Sequence, residues 1–149
     1  MAKYQTIKTF GNDRGLSCAF RQWRASHSHC HLLHGYSIGV EFVLECDELD
    51  DKNWCYDYGN FKDIKKFLED NFDHKTAVAE NDPDIDWFMM AHKAGILDIN
   101  VMEAVGCEKF AEFIYNYAEE QIRKNTNGRV KLKSVKVFEH GANAAVYSE

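Results

Sequence analysis

The stretch GYSIGVEFVLEC (Gly35–Cys46) shows the clearest alternation of apolar and polar residues in the chain. Its apolar side chains recur at every second position: Tyr36, Ile38, Val40, Phe42 and Leu44. Side chains of a strand point alternately to its two faces, so this spacing predicts a long strand with one face in the core. Ser, Gly and Glu occupy most positions of the other face, which favours an antiparallel sheet.

Two weaker alternating segments, residues 3–10 and 15–23, precede this strand. The turn residues GNDRG separate them. This pattern is compatible with a hairpin or with one long bulged strand.

Helical patterns follow the strand. Apolar residues recur at helical spacing in FKDIKKFLEDNF (Phe61–Phe72) and in NVMEAVGCEKFAEFIYNYAEEQIRKN (Asn100–Asn125), so each segment predicts a helix. Residues 79–100 are acidic and contain the proline, and we expect an excursion there with a short helix in IDWFMMAHKAG (Ile85–Gly95).

Two further alternating segments end the chain, RVKLKSVKVFEH (Arg129–His140) and ANAAVYSE (Ala142–Glu149). The predicted order is therefore β-β-α-α-β-β, with strands and helices segregated along the chain. This order favours an α+β fold with an antiparallel sheet and two helices on one face. We expect one domain over residues 1–149, with sheet edges that favour oligomers.

Composition narrows the classes of function. A net charge of -6 argues against a nucleic-acid-binding protein, although local basic residues can still hold a small anion. The N-terminal residues lack the apolar core of a signal peptide, and no apolar run is long enough to span a membrane. The five cysteines are irregularly spaced, which predicts free thiols and a cytoplasmic protein.

The segment SHSHCHLLHGYS (Ser26–Ser37) contains four histidines and one cysteine. Imidazole and thiolate are the ligands that zinc prefers, but a polar surface loop explains the same residues equally well. Cys30 is either a thiol activated by its histidine neighbours, and so a base or nucleophile, or an inert surface residue.

Two short motifs are typical of acid–base chemistry and of ring binding. Asp73 and His74 are adjacent after the first helix, so the carboxylate can orient the imidazole for proton transfer, unless both are surface residues. Glu139 ends an apolar strand, where a carboxylate can accept two hydrogen bonds from a guanidine-like ring edge or else face solvent. Three nearby basic residues either bind phosphate or offset acidic surface: Arg21, Arg24 and Lys75.

Four segments together resemble the 6-pyruvoyl-tetrahydropterin synthase and 6-carboxy-tetrahydropterin synthase family. SHCHLLHGYSIGVEFVLE resembles its Cys-x-x-x-His-Gly-His motif and strand. YDYGNFKDIKKFLEDNFDHKTA resembles its helix that ends in Leu-Asp-His. GCEKFAEFIYNYAEEQI resembles its Pro-Thr-x-Glu-Asn helix, and VKVFEHGANAAVY resembles its Glu-Thr strand and turn.

The resemblance implies the tunnelling fold, in which subunits join their sheets into a barrel and two rings stack, commonly as a hexamer made of a dimer of trimers. Active sites of this family lie between subunits. It also implies a lyase acting on 7,8-dihydroneopterin triphosphate. We expect the 6-carboxy-tetrahydropterin synthase type, which belongs to the deazaguanine (queuosine) pathway, with a pterin as the only partner besides other copies of the chain.

The resemblance also assigns roles to individual residues. Cys30 matches the catalytic thiol, and Asp73 with His74 matches the dyad that relays protons with it. Glu139 matches the carboxylate that anchors the pterin ring. Glu108 matches the glutamate of the Pro-Thr-x-Glu motif, in which Cys107 replaces the threonine.

The zinc site of the family is the main departure. His34 matches the first histidine of His-Gly-His, but Tyr36 replaces the second and Phe20 occupies the remaining ligand position. One histidine does not provide the usual three protein ligands, so these substitutions disfavour zinc at this position. Rearranged coordination is the alternative, with three loop histidines assisting His34: His27, His29 and His31.

Three hypotheses follow for the function. The first is a synthase of the 6-carboxy type, with 6-pyruvoyl-tetrahydropterin synthase activity as its variant. The second is a metal-free enzyme acting on a related pterin or purine, in which Tyr36 donates a hydrogen bond in place of the metal. The third is a relative that binds pterins without catalysis.

Overall fold

The structure is a computed structural model, and it describes residues 3–149. These residues form seven strands and three α-helices, in this order: β1 (Tyr4–Phe10), β2 (Leu16–Phe20), β3 (His34–Cys46), α1 (Lys62–Phe72), β4 (Lys75–Ala79), α2 (Ile85–Lys93), β5 (Ile99–Met102), α3 (Cys107–Thr126), β6 (Val130–His140) and β7 (Asn143–Ser148). The expected α+β class is confirmed.

The long strand β3 organises the sheet. Its C-terminal half pairs with β1 and its N-terminal half with β2, both antiparallel, while β6 pairs along its other side. A short 3-10 helix, Asn12–Arg14, separates β1 from β2. Neither predicted arrangement is exact: β1 and β2 do not form a hairpin, and they are two separate strands that follow the same side of β3.

The expected antiparallel sheet with two helices is wrong in one region. Strand β4 pairs parallel to β2, and β5 pairs parallel to β4, so the sheet is mixed. Helix α2 connects β4 to β5, as parallel neighbours require a crossover connection. The third helix starts at Cys107 rather than at Asn100, because residues 99–102 take part in β5.

Helices α1 and α3 bury their apolar faces in one continuous core with the sheet. Rings form a row through this core: Phe20 meets Phe110 edge-on at 5.1 Å between centroids, and Phe110 meets Phe72 at 5.1 Å. Phe110 and Phe72 are fully buried, and Phe20 is 3% exposed. The row joins the end of β2 to the end of α1.

The segment between β2 and β3 is held by backbone and side-chain bonds. The Gln22 N–H donates to the Cys30 carbonyl at 2.8 Å, and its side-chain Nε2 donates to the Val105 carbonyl at 2.7 Å. The loop that carries Cys30 is thereby fixed beside the start of α3. Within the described residues 3–149, no helix has the length and apolar character to cross a bilayer.

Candidate active site

The three positions expected to bind zinc do lie together, but as a cluster of rings. Phe20 pairs with His34 across β2 and β3, and Tyr36 lies two residues further on β3. The ring centroids of His34 and Tyr36 are 5.1 Å apart, and the Phe20 ring is 5.9 Å from the first and 6.0 Å from the second. We call these three residues the aromatic triad.

The donor atoms of the aromatic triad do not fit a zinc ion. Phe20 has no donor and is packed against Phe110. His34 Nδ1 lies 2.7 Å from the Leu32 carbonyl oxygen, so this nitrogen carries a proton and only Nε2 is free. Across residues 3–149, no three His, Cys, Asp or Glu side chains converge to hold a metal, which includes the loop histidines of the rearranged alternative.

The pKa of Tyr36 responds to three other groups of the candidate site. Burial raises the pKa of Tyr36, and the carboxylate of Glu139 raises it further, as do the thiols of Cys30 and Cys107 nearby. The His140 ring, 6.3 Å from the Tyr36 ring between centroids, borders the same group. The residues predicted for the thiol and the ring anchor, Cys30 and Glu139, therefore converge on Tyr36.

Cys107 occupies the first turn of α3 and is buried next to Glu139. Burial raises the pKa of the Cys107 thiol to about 12, with the carboxylates of Glu139 and Glu108 contributing. The thiol is therefore protonated at neutral pH and can donate toward Glu139. Glu108 itself is exposed, and it follows Cys107 directly in the sequence, at the edge of the candidate site.

Cys30 is the exposed cysteine of the chain, whereas Cys18, Cys46, Cys55 and Cys107 are buried. It lies in a short 3-10 helix, His29–His31, whose N-cap is Ser28. The Cys30 N–H donates to Ser28 Oγ at 3.1 Å, so the backbone at the thiol is fixed while the thiol faces solvent. This is the arrangement that an accessible base or nucleophile needs.

Asp73 and His74 form the expected pair. His74 Nδ1 lies 3.0 Å from Asp73 Oδ1, and Asp73 Oδ1 also accepts from the Ser17 N–H at 3.1 Å. The contact favours a proton on Nδ1, which leaves Nε2 free on a side chain that is 84% exposed. His74 has a φ of 59°, an uncommon backbone conformation for this residue, and its N–H donates to the Ser17 carbonyl.

This pair is separated from Cys30 and Glu139 by β2. Asp73 and His74 precede β4 on one side of β2, while Tyr36 lies in β3 on the other. Because β2 lies between β3 and β4, the backbones of these two strands are two strand spacings, or about 10 Å, apart. Asp73 instead lines a cleft of about 620 Å³ together with Lys8, Lys65 and Glu69.

The basic residues considered for phosphate are mostly engaged elsewhere. Arg21 donates to both oxygens of buried Asp82, at 2.6 and 2.9 Å, and to Asp84 at 2.8 Å. Lys75 lies 2.5 Å from an Asp98 oxygen. The guanidinium of Arg24 lies 4.2 Å above the Trp23 ring.

Sequence reasoning missed Asn12, which holds the strand ends around the site. Its Nδ2 donates to the Ser37 carbonyl at 2.6 Å and approaches the carbonyls of Phe138 and Glu139 at 3.2 and 3.3 Å. An asparagine in a turn gives no signal for such distant partners. The carbonyl positions depend on how β3 and β6 meet, which a local pattern does not contain.

Comparison with known proteins finds similar sequences. A family model described as 6-pyruvoyl tetrahydropterin synthase matches residues 11–149. A 6-carboxy-5,6,7,8-tetrahydropterin synthase of Aquifex aeolicus is 28% identical over 123 residues, which cover 80% of this chain and 76% of that protein.

Two solved structures share the fold. An uncharacterized protein of Wolinella succinogenes matches with a TM-score of 0.84 at 18% identity, over 99% of both chains. The 6-pyruvoyl tetrahydropterin synthase of Plasmodium falciparum matches with a TM-score of 0.71 at 14% identity, over 100% of this chain and 99% of that one. At these identities the likeness concerns the fold alone.

Proposed function

The chain belongs to the 6-pyruvoyl tetrahydropterin synthase family, and from this we propose that it is an enzyme of the 6-carboxy-tetrahydropterin synthase type, acting on 7,8-dihydroneopterin triphosphate. The relative from Aquifex aeolicus carries that name. The observation that carries the proposal is the match of the family model to residues 11–149, and the influence of Cys30 and Glu139 on the pKa of Tyr36 is consistent with a shared site.

The pterin ring binds at Glu139 in this proposal. An ionised carboxylate accepts two parallel hydrogen bonds from the N–H groups of a guanidine-like ring edge. Cys107 and Tyr36 lie near the carboxylate, and a carboxylate has about four acceptor sites, so both can donate to it beside the ring. The ring is thereby oriented with its side chain toward Cys30.

Proton transfer is assigned to Cys30 and to the Asp73–His74 pair. The Cys30 thiolate removes a proton from a carbon of the substrate side chain, and His74 Nε2 exchanges protons with the same region. Because β2 separates these groups within one chain, we propose that the active site joins Cys30 of one subunit to His74 of another. A homo-oligomer, as a hexamer of two trimers, provides that arrangement.

The cleft beside Asp73 supports a phosphate-bearing substrate. Lys8 and Lys65 line it and supply donors for phosphate oxygens on the His74 side of the proposed site, beside the carboxylates of Asp73 and Glu69. Phosphate groups are commonly held by such lysines. Arg21 is not assigned to phosphate, because its hydrogen bonds go to Asp82 and Asp84.

The test is the consumption of 7,8-dihydroneopterin triphosphate, followed by mass spectrometry of the products. We expect Cys30→Ala to lower turnover at least 100-fold, in keeping with the usual contribution of a general base, and to leave pterin binding intact. Glu139→Gln should abolish binding. His27→Ala, an exposed change in the same loop, is the control and should retain activity. Normal turnover by Cys30→Ala would refute the assignment of the thiol.

A second candidate is favoured by the aromatic triad. Phe20 and Tyr36 offer fewer metal donors than three histidines would, so the second candidate is a pterin- or purine-binding relative that uses the Glu139 anchor for binding but does not turn over substrate. Binding of a pterin by the wild-type protein, with no consumption of substrate at any protein concentration, would favour this candidate over the first.

A further inference from the structure

A second cavity lies between β1 and the loop that follows β3, and we call it the loop cavity. Its volume is about 520 Å³, within the range of small-molecule sites. The β1 residues that line it pair with the C-terminal end of β3, whereas Tyr36 lies near the N-terminal end of that strand. The loop cavity is therefore separate from the candidate active site. Four aromatic residues line it: Tyr4, Trp54, Tyr56 and Tyr58.

Hydrogen bonds hold two of these aromatic residues in place. The Tyr58 hydroxyl bonds to Thr6 Oγ1 of β1. The Trp54 N–H donates to Asp50 Oδ1 at 3.0 Å, and the Trp54 carbonyl accepts from the Asp50 N–H at 2.9 Å. A ligand would meet walls that are already ordered, which lowers the entropic cost of binding.

The charge of the loop cavity is negative. Among the side chains that the structure describes, Asp57 is the one that lines the cavity and is charged at neutral pH. Asp57 Oδ1 accepts from the Gly59 N–H at 2.8 Å, so the carboxylate has further acceptor sites left. Five of the eleven residues from 47 to 57 are acidic and one is basic. The cavity therefore favours a cation over an anion.

Aromatic ring faces attract cations, and two lysines lie near these rings. Lys52 Nζ is 5.8 Å from the centroid of the Trp54 ring, and Lys8 Nζ is 5.9 Å from that of the Tyr58 ring. Neither lysine lines the loop cavity, so they do not fill the space that the rings border.

We propose that the loop cavity binds a small organic cation of the quaternary ammonium class. The methylated headgroup lies against the aromatic rings, and the carboxylate of Asp57 balances its charge. A primary ammonium has three N–H donors to satisfy, whereas a methylated one needs no acceptor and suits a mostly aromatic lining. The inference is independent of the proposed function, because no residue assigned to the pterin reaction lines this cavity.

Choline and its uncharged isostere 3,3-dimethylbutanol separate the effect of charge from that of shape. The isostere has carbon in place of the cationic nitrogen and a similar size. We measure the affinity of the full chain, in its native oligomer, for both ligands by ligand-observed NMR titration. Wild type should bind choline about tenfold more tightly than the isostere, within the range of a cation–π contact.

Two substitutions test the lining of the cavity. Trp54→Leu keeps an apolar side chain and removes the ring, and Asp57→Asn keeps the oxygen that accepts from Gly59 and removes the charge. Each should bring the ratio of the two affinities close to one, mainly through weaker choline binding. Trp87→Leu, at an exposed tryptophan outside the cavity, is the matched control and should leave the ratio unchanged. Circular dichroism spectra equal to that of wild type show that the variants are folded.

Three outcomes would overturn the inference. Equal affinity of wild type for choline and the isostere means that the cavity is apolar without preference for charge. Undiminished choline binding by both Trp54→Leu and Asp57→Asn means that the cation binds elsewhere. The third outcome is no binding of choline by wild type at concentrations on the order of 10 mM. Consumption of the pterin substrate is measured separately, so the proposed function can fail or hold without changing any of these results.

Discussion

At the residue scale, Phe20 and Tyr36 occupy the positions where the family resemblance predicts two zinc ligands. Their rings and that of His34 are 5.1 to 6.0 Å apart between centroids. Three histidines around one zinc ion would have ring centroids roughly 5 Å apart, from Zn–N bonds of about 2.0–2.1 Å and near-tetrahedral angles. The backbone has therefore kept a spacing that suits a metal, although the side chains lack donors.

The double variant Phe20→His/Tyr36→His should consequently bind zinc. We expect about one zinc ion per subunit after dialysis, measured by atomic emission, against far less than one for the wild type. The physical reason is that residues 20, 34 and 36 already lie at a suitable spacing, so that only the ligand atoms themselves have to be supplied.

A variant with one histidine added, Tyr36→His, is the control for non-specific uptake and has two ligands, too few for a stable site. Equal zinc contents in the single and double variants would contradict the preserved spacing. Stoichiometric zinc in the wild type would contradict the reading of the aromatic triad as a site without donors.

The sequence identifies some of these residues more readily than others. Cys30, Glu139 and the Asp73–His74 pair lie in short motifs whose order along the chain indicates the family. The surroundings of Tyr36 include Glu139, about a hundred positions away, and Cys107 at the start of a helix. Only the folded chain brings these partners together.

At the element scale, β4, α2 and β5 form the part of the fold that sequence patterns describe least well. The two strands have five and four residues, too few to show a period. Residues 100–102 continue the apolar spacing of the third helix, yet parallel pairing with β4 places them in a strand. Helix α2 was predicted correctly because nine residues are enough to show a helical pattern.

An ion pair fixes this region to the rest of the sheet. Arg21 follows β2, and Asp82 precedes α2 and is 3% exposed. We expect Asp82→Asn to lower the free energy of unfolding by about 2–3 kcal/mol at pH 7, because two hydrogen bonds to a charged group are weakened. Urea denaturation measures this difference.

The difference should depend on pH in one direction. Hydrogen bonds from Arg21 hold the pKa of Asp82 below its ordinary value of 3.8. The carboxylate therefore stabilises the fold above about that value, and its contribution falls as the pH drops through the lowered pKa. Wild type and Asp82→Asn should converge in acid. Asp84→Asn, at a largely exposed partner of Arg21, is the control and should show a much smaller loss.

At the scale of the whole molecule, the separation of Cys30 from His74 makes the oligomer part of the proposed active site. Subunits carrying Cys30→Ala and subunits carrying His74→Ala should each be inactive alone. After the two are unfolded together and refolded in equal amounts, random assembly should give sites with both residues intact. About a quarter of the wild-type activity should return. Each site needs Cys30 from one subunit and His74 from the next, and random assembly supplies both intact residues in one site of four.

Mixing without refolding is the control and should restore little, provided the subunits exchange slowly. If no activity returned although mixed oligomers were present by native mass spectrometry, both residues would have to act within one chain. That result would contradict the intersubunit site while leaving the family assignment unaffected.

The row of rings through the core has a consequence for this arrangement. Tyr36 rests on Phe20, Phe20 on Phe110, Phe110 on Phe72, and Phe72 immediately precedes Asp73. In the proposed oligomer, one subunit supplies the thiol to one reaction chamber and the imidazole to the next. The packed rings then fix the distance between Tyr36 and the Asp73–His74 pair within each subunit, and so the spacing of adjacent chambers in the proposed oligomer.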